Sequence, residues 1–178
     1  MEAIASQNRT EGIAASANIS AGLDFAAQNA REFLTFTLAG EEYAIDILAV
    51  REIRAFETPT RLVTAPPFVA GVISLRGEVI ALVDLRIKFG IAAAFGERTA
   101  VIIVEVANGV FGVIVDSVSD VQAIAPSQIQ PAPAFTAVVD AQFISGLAPM
   151  DEHMLILLDI RRLLSREEMM LVADPQRV

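Results

Sequence analysis

The sequence has 178 residues, of which 13 are Lys or Arg and 22 are Asp or Glu, so its formal net charge at pH 7 is −9. This balance argues against a nucleic-acid-binding protein, because contacts with phosphates need clustered Lys and Arg. The sequence contains no Cys, which excludes disulfides and thiol catalysis, and no apolar run reaches the roughly 18 residues of a membrane-spanning helix.

The first 31 residues predict a disordered N-terminal arm with helical character near residues 21–30. They are rich in Ala, Ser, Asn and Gln and carry only isolated large apolar side chains, which cannot form a packed core. The segment has no basic region followed by an apolar core. We therefore expect no signal peptide and a cytoplasmic protein.

Two strands and a short helix are predicted next. Large apolar side chains at alternate positions of residues 34–38 predict a strand with one face fully buried. A second alternation starts at Tyr43. Asp46 is expected to cap a short charged helix through residues 50–53, because the apolar residues of this segment fall at helical spacing.

A tight hairpin is the most informative local feature. Apolar strands are predicted at residues 69–75 and 79–83, joined at Leu75-Arg76-Gly77-Glu78. The turn presents an Arg, a residue that is enriched at protein–protein interfaces and whose planar guanidinium can clamp carboxylates or carbonyls. Residues 84–89 follow as a turn or a single helical turn.

Asn108-Gly109 predicts a second hairpin, because both residues tolerate positive φ. This turn joins strands expected at residues 99–106 and 110–116, and a further strand is expected at residues 118–124. Gly112 lies inside a predicted strand. A glycine there indicates a bulge or a bend, or else a close approach by the backbone of a partner.

The remaining segments complete a mainly β chain. Prolines keep residues 125–135 extended, a hairpin is predicted from residues 141–147 and 154–159, and helical spacing appears at residues 160–164 and 167–171. The patterns give roughly ten short strands and little helix, which is typical of small barrels, although the strand count alone leaves a sandwich open.

No segment has the spacing of a catalytic or metal site. The lone His153 supports neither a triad nor a metal centre, and we interpret it as a polar turn residue. Five carboxylates at predicted strand ends are far apart in sequence, so turn capping is their expected role. They are Asp84, Asp116, Asp120, Asp140 and Asp159. We expect neither enzyme activity nor a cofactor.

The motif LRG-x-V at residues 75–79, followed by VDLR-x-KFG at residues 83–90, resembles the CheW family, the adaptors of bacterial chemosensory arrays. The resemblance extends in family order from EFLTF at residues 32–36 to residues 155–170, and it includes GVIVDSVSDV. Two departures from the family pattern are Ser74 in place of Asn and Ala81 in place of Pro.

The resemblance implies a fold of two small five-stranded SH3-like β-barrels that pack side by side, with short helices. The barrels would be intertwined in one domain, residues 32–170, between the arm of residues 1–31 and a tail of residues 171–178. Closure of small sheets into barrels also removes exposed edges that would otherwise aggregate.

The resemblance also implies a non-catalytic adaptor that couples chemoreceptors to a histidine kinase. Its partners would be the regulatory domain of a CheA-type kinase and the cytoplasmic tip of methyl-accepting chemoreceptors, with neither nucleic acid nor direct membrane insertion. It would join membrane receptor arrays through these partners. An adaptor of a non-flagellar pathway that controls pili or another output is the alternative.

Two other classes of protein have less support in the sequence. A small-barrel enzyme or ligand-binding protein needs a pocket with convergent polar groups, and the sequence supplies no such set. An oligonucleotide-binding barrel needs basic strands and stacking aromatics, whereas this chain is acidic and has one Tyr and no Trp.

The resemblance assigns expected roles to three sets of residues. Arg76, in the LRG motif, is expected to act in assembly. Contact with the kinase is expected at Val50, Arg51, Glu52 and Ile53. The wall of a groove that receives the receptor is expected at Gly112, Val115 and Val121.

Overall fold

The computed structural model describes residues 29–107, 109–133 and 139–170, which form a mainly β structure. The tail of residues 171–178, Asn108 and all but the last residues of the predicted N-terminal arm lie outside the described residues. The strands are β1 (Arg31–Leu38), β2 (Glu41–Asp46), β3 (Val50–Ala55), β4 (Val69–Leu75), β5 (Glu78–Asp84), β6 (Ala100–Val106), β7 (Gly109–Val115), β8 (Ser117–Ile124), β9 (Ile144–Pro149) and β10 (Met154–Leu158). The α-helices are α1 (Leu85–Lys88), α2 (Ile160–Leu163) and α3 (Arg166–Met170).

The strands form two five-stranded sheets. Sheet 1 has the order β8-β1-β2-β10-β9, and sheet 2 has the order β3-β6-β7-β5-β4. The chain passes to sheet 2 after β2 and returns to sheet 1 after β7, so the segment that forms sheet 2 is inserted between the two segments that form sheet 1. The prediction of a mainly β fold with two five-stranded units is confirmed. In the described residues, no helix has the length and hydropathy to span a bilayer.

The largest group of buried apolar side chains combines residues of both sheets. Alternate residues of β1 (Leu34, Phe36 and Leu38) and of β6 (Ile102 and Val104) belong to it. The opposite faces of these strands fill two smaller groups, one within each sheet. Both faces of β1 are therefore buried at its centre, where the sequence predicted one. Because the largest group takes residues from both sheets, the two sheets share a core. Burial of each such side chain stabilises the fold by about 1.5–3 kcal/mol.

The helix predicted for residues 50–53 is wrong. A single 3₁₀ turn, Ile47–Ala49, is followed by β3, which pairs with β6. The predicted cap is confirmed, since the Asp46 carboxylate accepts a hydrogen bond from the Leu48 N–H at 3.0 Å. The β-branched Val50 and Ile53 favour a strand, and pairing with a buried strand outweighs three apolar residues at helical spacing.

The β1–β2 and β4–β5 connections are two-residue turns with positive φ at both positions. Ala39 and Gly40 have φ of 50° and 82°, and Arg76 and Gly77 have φ of 50° and 84°. This is the pattern of a type I′ turn, whose twist matches that of the flanking strands. Ala and Arg are unusual at its first position, because a Cβ disfavours the left-handed region. The predicted Arg76 hairpin is confirmed.

Gly112 lies in regularly paired β-structure, so the predicted bulge is wrong. Its neighbours on β6 and β5 pair without a register shift. A Cβ at this position would lie 2.3 Å from Leu82 Cδ2 and 2.9 Å from Val101 Cγ1. The glycine is required because two buried side chains occupy the space above it, a reason that the sequence pattern alone does not reveal.

Aspartates begin the short helical turns. The Asp84 carboxylate accepts from the Arg86 N–H at 3.0 Å at the start of α1, and Asp159 accepts from the Arg162 N–H at 3.1 Å at the start of α2. Asp140 caps the 3₁₀ turn Ala141–Phe143, so that β9 begins three residues later than predicted. Turn capping is confirmed for these carboxylates, because each satisfies a backbone donor that lacks a helical partner.

Candidate protein-docking surface

Strand β3 and the β4–β5 turn are joined by ion pairs on the surface of sheet 2. Arg76 Nη2 lies 2.7 Å from Glu52 Oε2, and the other oxygen of Glu52 lies 3.6 Å from Arg54 Nη1. The Glu52 carboxylate thus contacts two guanidinium groups, that of Arg54 on its own strand and that of Arg76 in the turn. The pair with Arg76 holds the turn against the strand.

A second arginine of β3 pairs with different neighbours. Arg51 Nε lies 3.2 Å from Glu105 Oε2 on β6, and Arg51 Nη1 lies 3.9 Å from Glu78 Oε2 at the start of β5. We refer to these paired residues together as the charged surface. It consists of Arg51, Glu52, Arg54, Arg76, Glu78 and Glu105.

Two large apolar side chains are exposed on strands that also carry these charges. Ile53 is 48% exposed on β3, and Val79 is 71% exposed on β5. Exposed apolar side chains on strands that carry charged pairs are typical of protein-docking surfaces. Val79 was missed in the sequence analysis, although the buried Ile80 and Leu82 beside it give the alternation that turns Val79 outward.

The backbone at Arg76 is in the left-handed region, with φ of 50°. A non-glycine residue in the left-handed region costs about 1–2 kcal/mol, and Asn or Gly would be favoured at this turn position. The side chain is largely exposed and forms its ion pair with Glu52. Backbone strain of this kind clusters at functional positions, so the turn supports a role for Arg76 outside folding.

The structure brings together the residues predicted for kinase contact and for assembly. Val50, Arg51, Glu52 and Ile53 lie on β3, and Arg76 contacts the same strand through Glu52. Because the segment is a strand rather than a helix, its residues alternate in direction. Arg51 and Ile53 are exposed, while Val50 and Glu52 are half-buried.

The three residues predicted for the receptor groove do not share a surface. Val121 is 42% exposed on β8 of sheet 1. Val115 is fully buried in the core that the sheets share, and Gly112 is buried in sheet 2 against Leu82. Of the three, Val121 alone has an exposed side chain, and the two others are buried.

Two buried cations lie where the sheets meet, and the sequence analysis assigned neither. Arg86 is fully buried and pairs with Asp84 and Asp116. The hydrogen bond to Asp84 raises the pKa of the Arg86 guanidinium, although burial alone would lower it. Lys88 Nζ lies 3.3 Å from Glu168 Oε2. Arg86 is the Arg of the VDLR motif. A charged motif next to a buried strand could have indicated a buried ion pair, because a charge that is buried must be paired.

Of the other predicted polar residues, Asp116 lies in the connection between β7 and β8 and accepts from the Ala39 N–H at 2.8 Å. Asp120 lies within β8, so the predicted turn capping is wrong for this residue, because the strand continues through it. Its carboxylate accepts from the Val121 N–H at 2.7 Å. His153, beside the β9–β10 turn, contacts the Glu42 carboxylate. Across the described ranges, no group of three or more metal-binding side chains converges.

Comparison with known proteins shows which family the chain resembles. The model of the CheW-like domain matches residues 32–168. The chain is 46% identical over 143 residues to the chemotaxis protein CheW of Klebsiella aerogenes, a match that covers 80% of this chain and 86% of the relative. It is 33% identical over 142 residues to the probable chemotaxis protein CheW of Rhizobium etli, with 79% and 92% covered.

A solved structure has the same fold. The crystal structure of the scaffolding protein TtCheW from Thermoanaerobacter tengcongensis superposes with a TM-score of 0.72 at 32% sequence identity. The match covers 80% of this chain and 94% of that chain. The similarity therefore extends over both sheets and is not confined to the hairpin motif.

Proposed function

This chain belongs to the CheW family, and we propose that it couples methyl-accepting chemoreceptors to a CheA-type histidine kinase as a chemotaxis adaptor. As a member of this family it is a non-catalytic scaffold. Its partners would be the regulatory domain of the kinase and the cytoplasmic tip of the receptors. The protein would thus be held at the cytoplasmic side of receptor arrays by its partners.

The Glu52–Arg76 ion pair is the observation that supports this proposal most. It joins a strand with an exposed apolar anchor, Ile53, to a strained turn whose Arg is otherwise unfavourable there. The turn geometry itself does not require Arg, since Ala39 adopts the same φ in the β1–β2 turn. Recognition of a partner gives a reason for Arg, because a guanidinium held by one carboxylate still presents further donors.

We propose that the kinase contacts β3 through Val50, Arg51, Glu52 and Ile53, and that Arg76 completes this surface during assembly. Charges on the surface would steer and orient the partner, while Ile53 and Val79 would supply buried apolar area. For the receptor, Val121 on sheet 1 is the exposed residue of the predicted groove, and Gly112 and Val115 would support it from within.

The mechanism follows from the core that the sheets share. An adaptor that holds two partners at fixed relative positions transmits a signal when one partner changes its contacts with the adaptor. The change must involve different contact free energies in the two signalling states. Contacts that are individually weak become effective because many copies are linked in an array.

A calorimetric titration against the regulatory domain of the cognate CheA tests this proposal. We expect binding by the wild type and at least about a tenfold loss of affinity in Glu52→Arg, because charge reversal repels Arg54 and Arg76. Glu97→Arg is the matched control, since Glu97 is exposed outside the charged surface. Equal affinity of Glu52→Arg and Glu97→Arg would remove β3 from the interface, and no binding by the wild type would overturn the adaptor proposal.

A further inference from the structure

Arg86 lies at the point where the two sheets meet, and its side chain is 0% exposed. Its Nε and Nη2 donate to the two carboxylate oxygens of Asp84, at 2.9 and 2.8 Å. The Nη1 group donates to the Ala94 carbonyl at 2.6 Å and to Asp116 Oδ1 at 3.0 Å. The Phe95 ring covers the guanidinium at 4.7 Å. These four hydrogen bonds fix the orientation of the guanidinium.

Three of these four hydrogen bonds stay within the half of the chain that forms sheet 2. Asp84 ends β5, and Ala94 lies in the connection between α1 and β6. The fourth bond, to Asp116, leaves this half. Asp116 is the residue between β7, which belongs to sheet 2, and β8, which belongs to sheet 1. It is the position at which the chain returns to sheet 1.

Asp116 also forms hydrogen bonds with residues of the sheet 1 half. Its Oδ2 accepts from the Ala39 N–H at 2.8 Å, and its own N–H donates to the Thr37 carbonyl at 3.1 Å. Ala39 is the strained first residue of the β1–β2 turn, with φ of 50°. One carboxylate therefore holds a guanidinium fixed in sheet 2 with one oxygen and the turn of sheet 1 with the other.

We propose that Arg86, through its bond to Asp116, is a positioning residue that fixes the placement of sheet 2 relative to sheet 1. Apolar packing between sheets is not directional, so the shared core alone permits small displacements. Directional hydrogen bonds to a buried guanidinium select one arrangement, a role that buried ionic groups have in some proteins even where they add little stability. This inference rests on the proposed function, because a fixed placement of β3 relative to Val121 is what an adaptor with one partner on each sheet requires.

Asp116→Asn separates the positioning role from the fold. The carboxylate accepts from sheet 2 through one oxygen and from sheet 1 through the other, whereas an amide has a single acceptor oxygen. The variant would therefore have to release either Arg86 or Ala39, while the Asp84 fork and the shared core stay intact. Asp116 is one-third exposed, so the amide nitrogen that faces the guanidinium can be solvated.

Because the chain has no native Cys, two spin labels can be placed at Ser74→Cys and Ala123→Cys, exposed positions on β4 and β8. A pulsed electron-resonance measurement then gives the distribution of distances between sheet 2 and sheet 1. In the doubly labelled protein without further substitutions, the parent, we expect a single narrow distribution of distances. In Asp116→Asn we expect a distribution that is about twofold broader, or one with two maxima, because a directional contact between the sheets is lost. Asp140→Asn is the matched control, since Asp140 caps a turn in the sheet 1 half alone. Equal widths in parent and Asp116→Asn would overturn the proposal.

Arg86→Lys provides a second variant, because a Lys keeps the charge but cannot form the fork with Asp84 and also reach Asp116. It should broaden the distribution as well. If circular dichroism showed that neither Asp116→Asn nor Arg86→Lys folds, the proposal would also be wrong, since the pair would then hold the fold itself and not the placement of two folded halves.

A functional readout distinguishes this inference from the function on which it rests. We expect Asp116→Asn to bind the CheA regulatory domain as the wild type does, but to lower receptor-dependent kinase activation about five- to tenfold, in the range of a typical coupling free energy. Failure of the wild type to bind would contradict the proposed function. Full activation by Asp116→Asn alongside normal wild-type binding would contradict the positioning role alone.

Discussion

Glu52 on β3 and Arg76 in the β4–β5 turn lie 2.7 Å apart, although a loop and a complete strand separate them in sequence. The contact joins a residue predicted for kinase contact, Glu52, to the residue predicted for assembly, Arg76. It also explains how a turn with an unfavourable residue keeps its geometry. The ion pair thus connects the conformation of the turn to the composition of the surface.

Replacement of Arg76 by Asn should separate stability from binding. Asn tolerates the left-handed region better than Arg, so we expect the free energy of unfolding to stay level or rise by up to about 1 kcal/mol. The affinity for the kinase regulatory domain should nevertheless fall, because the guanidinium is lost. Urea denaturation and calorimetric titration of the same preparation measure the two effects. A parallel fall in stability and affinity would mean that Arg76 acts through the fold.

Gly112→Ala should destabilise the protein by about 1–3 kcal/mol, the usual cost of overpacking a core. The added Cβ would meet Leu82 and Val101 at distances shorter than real contacts allow. Gly96→Ala is the control, because no heavy atom lies within 4 Å of a Cβ there and its φ is not in the left-handed region. Equal midpoints of thermal unfolding for the two variants would show that the space above Gly112 adapts to the methyl group.

Asp46 should contribute to stability in a pH-dependent way. Burial raises the pKa of Asp46, but the hydrogen bond from the Leu48 N–H and the charge of Arg31 outweigh it, so that the pKa lies below its usual value of 3.8. A carboxyl group whose pKa is lowered by folding stabilises the native state above the unfolded pKa, and this stabilisation disappears as the pH falls through the folded pKa.

We therefore expect Asp46→Asn to be less stable than the wild type at pH 7, with the difference shrinking towards pH 3. Urea denaturation between pH 3 and pH 7 measures this, and Asp151→Asn, at an exposed position, is the control substitution. A difference between wild type and Asp46→Asn that is independent of pH would mean that the side-chain charge plays no part.

Lys88 is the single lysine of the chain and connects α1 with α3. Its ammonium group pairs with Glu168 and lies 4.2 Å from the centre of the Phe68 ring. Lys88→Ala should cost about 1–3 kcal/mol, because it leaves Glu168 without its cation and removes a buried aliphatic chain. Lys88→Met retains most of the packing and should cost less. If both variants unfold at the same urea concentration, loss of the positive charge, and not loss of packing, accounts for the destabilisation.

The strands and turns were predictable because their signals are local. Alternation marked β1, and Gly77 after Arg76 marked the tight turn, since only a few residues accept positive φ. The segment of residues 50–53 was predicted wrongly because the helical spacing of three apolar residues was given more weight than the strand preference of the β-branched Val50 and Ile53. Its pairing with β6, a contact distant in sequence, decided for the strand.

The site was only partly predictable for the same reason. Glu52 and Arg76 were singled out through motifs, but their contact depends on how β3 and the β4–β5 turn meet in space. The burial of Arg86 and the close packing around Gly112 are properties of the assembled sheets. No local pattern distinguishes a glycine that packs under Leu82 from one that forms a bulge.

Receptor-controlled autophosphorylation of the cognate CheA, measured with and without this protein, tests the central claim most directly. Our account predicts that receptors change the kinase rate only when the protein is present, and that Glu52→Arg abolishes this control while Glu97→Arg retains it. Receptor control that is the same without the protein, or that survives in Glu52→Arg, would contradict the account.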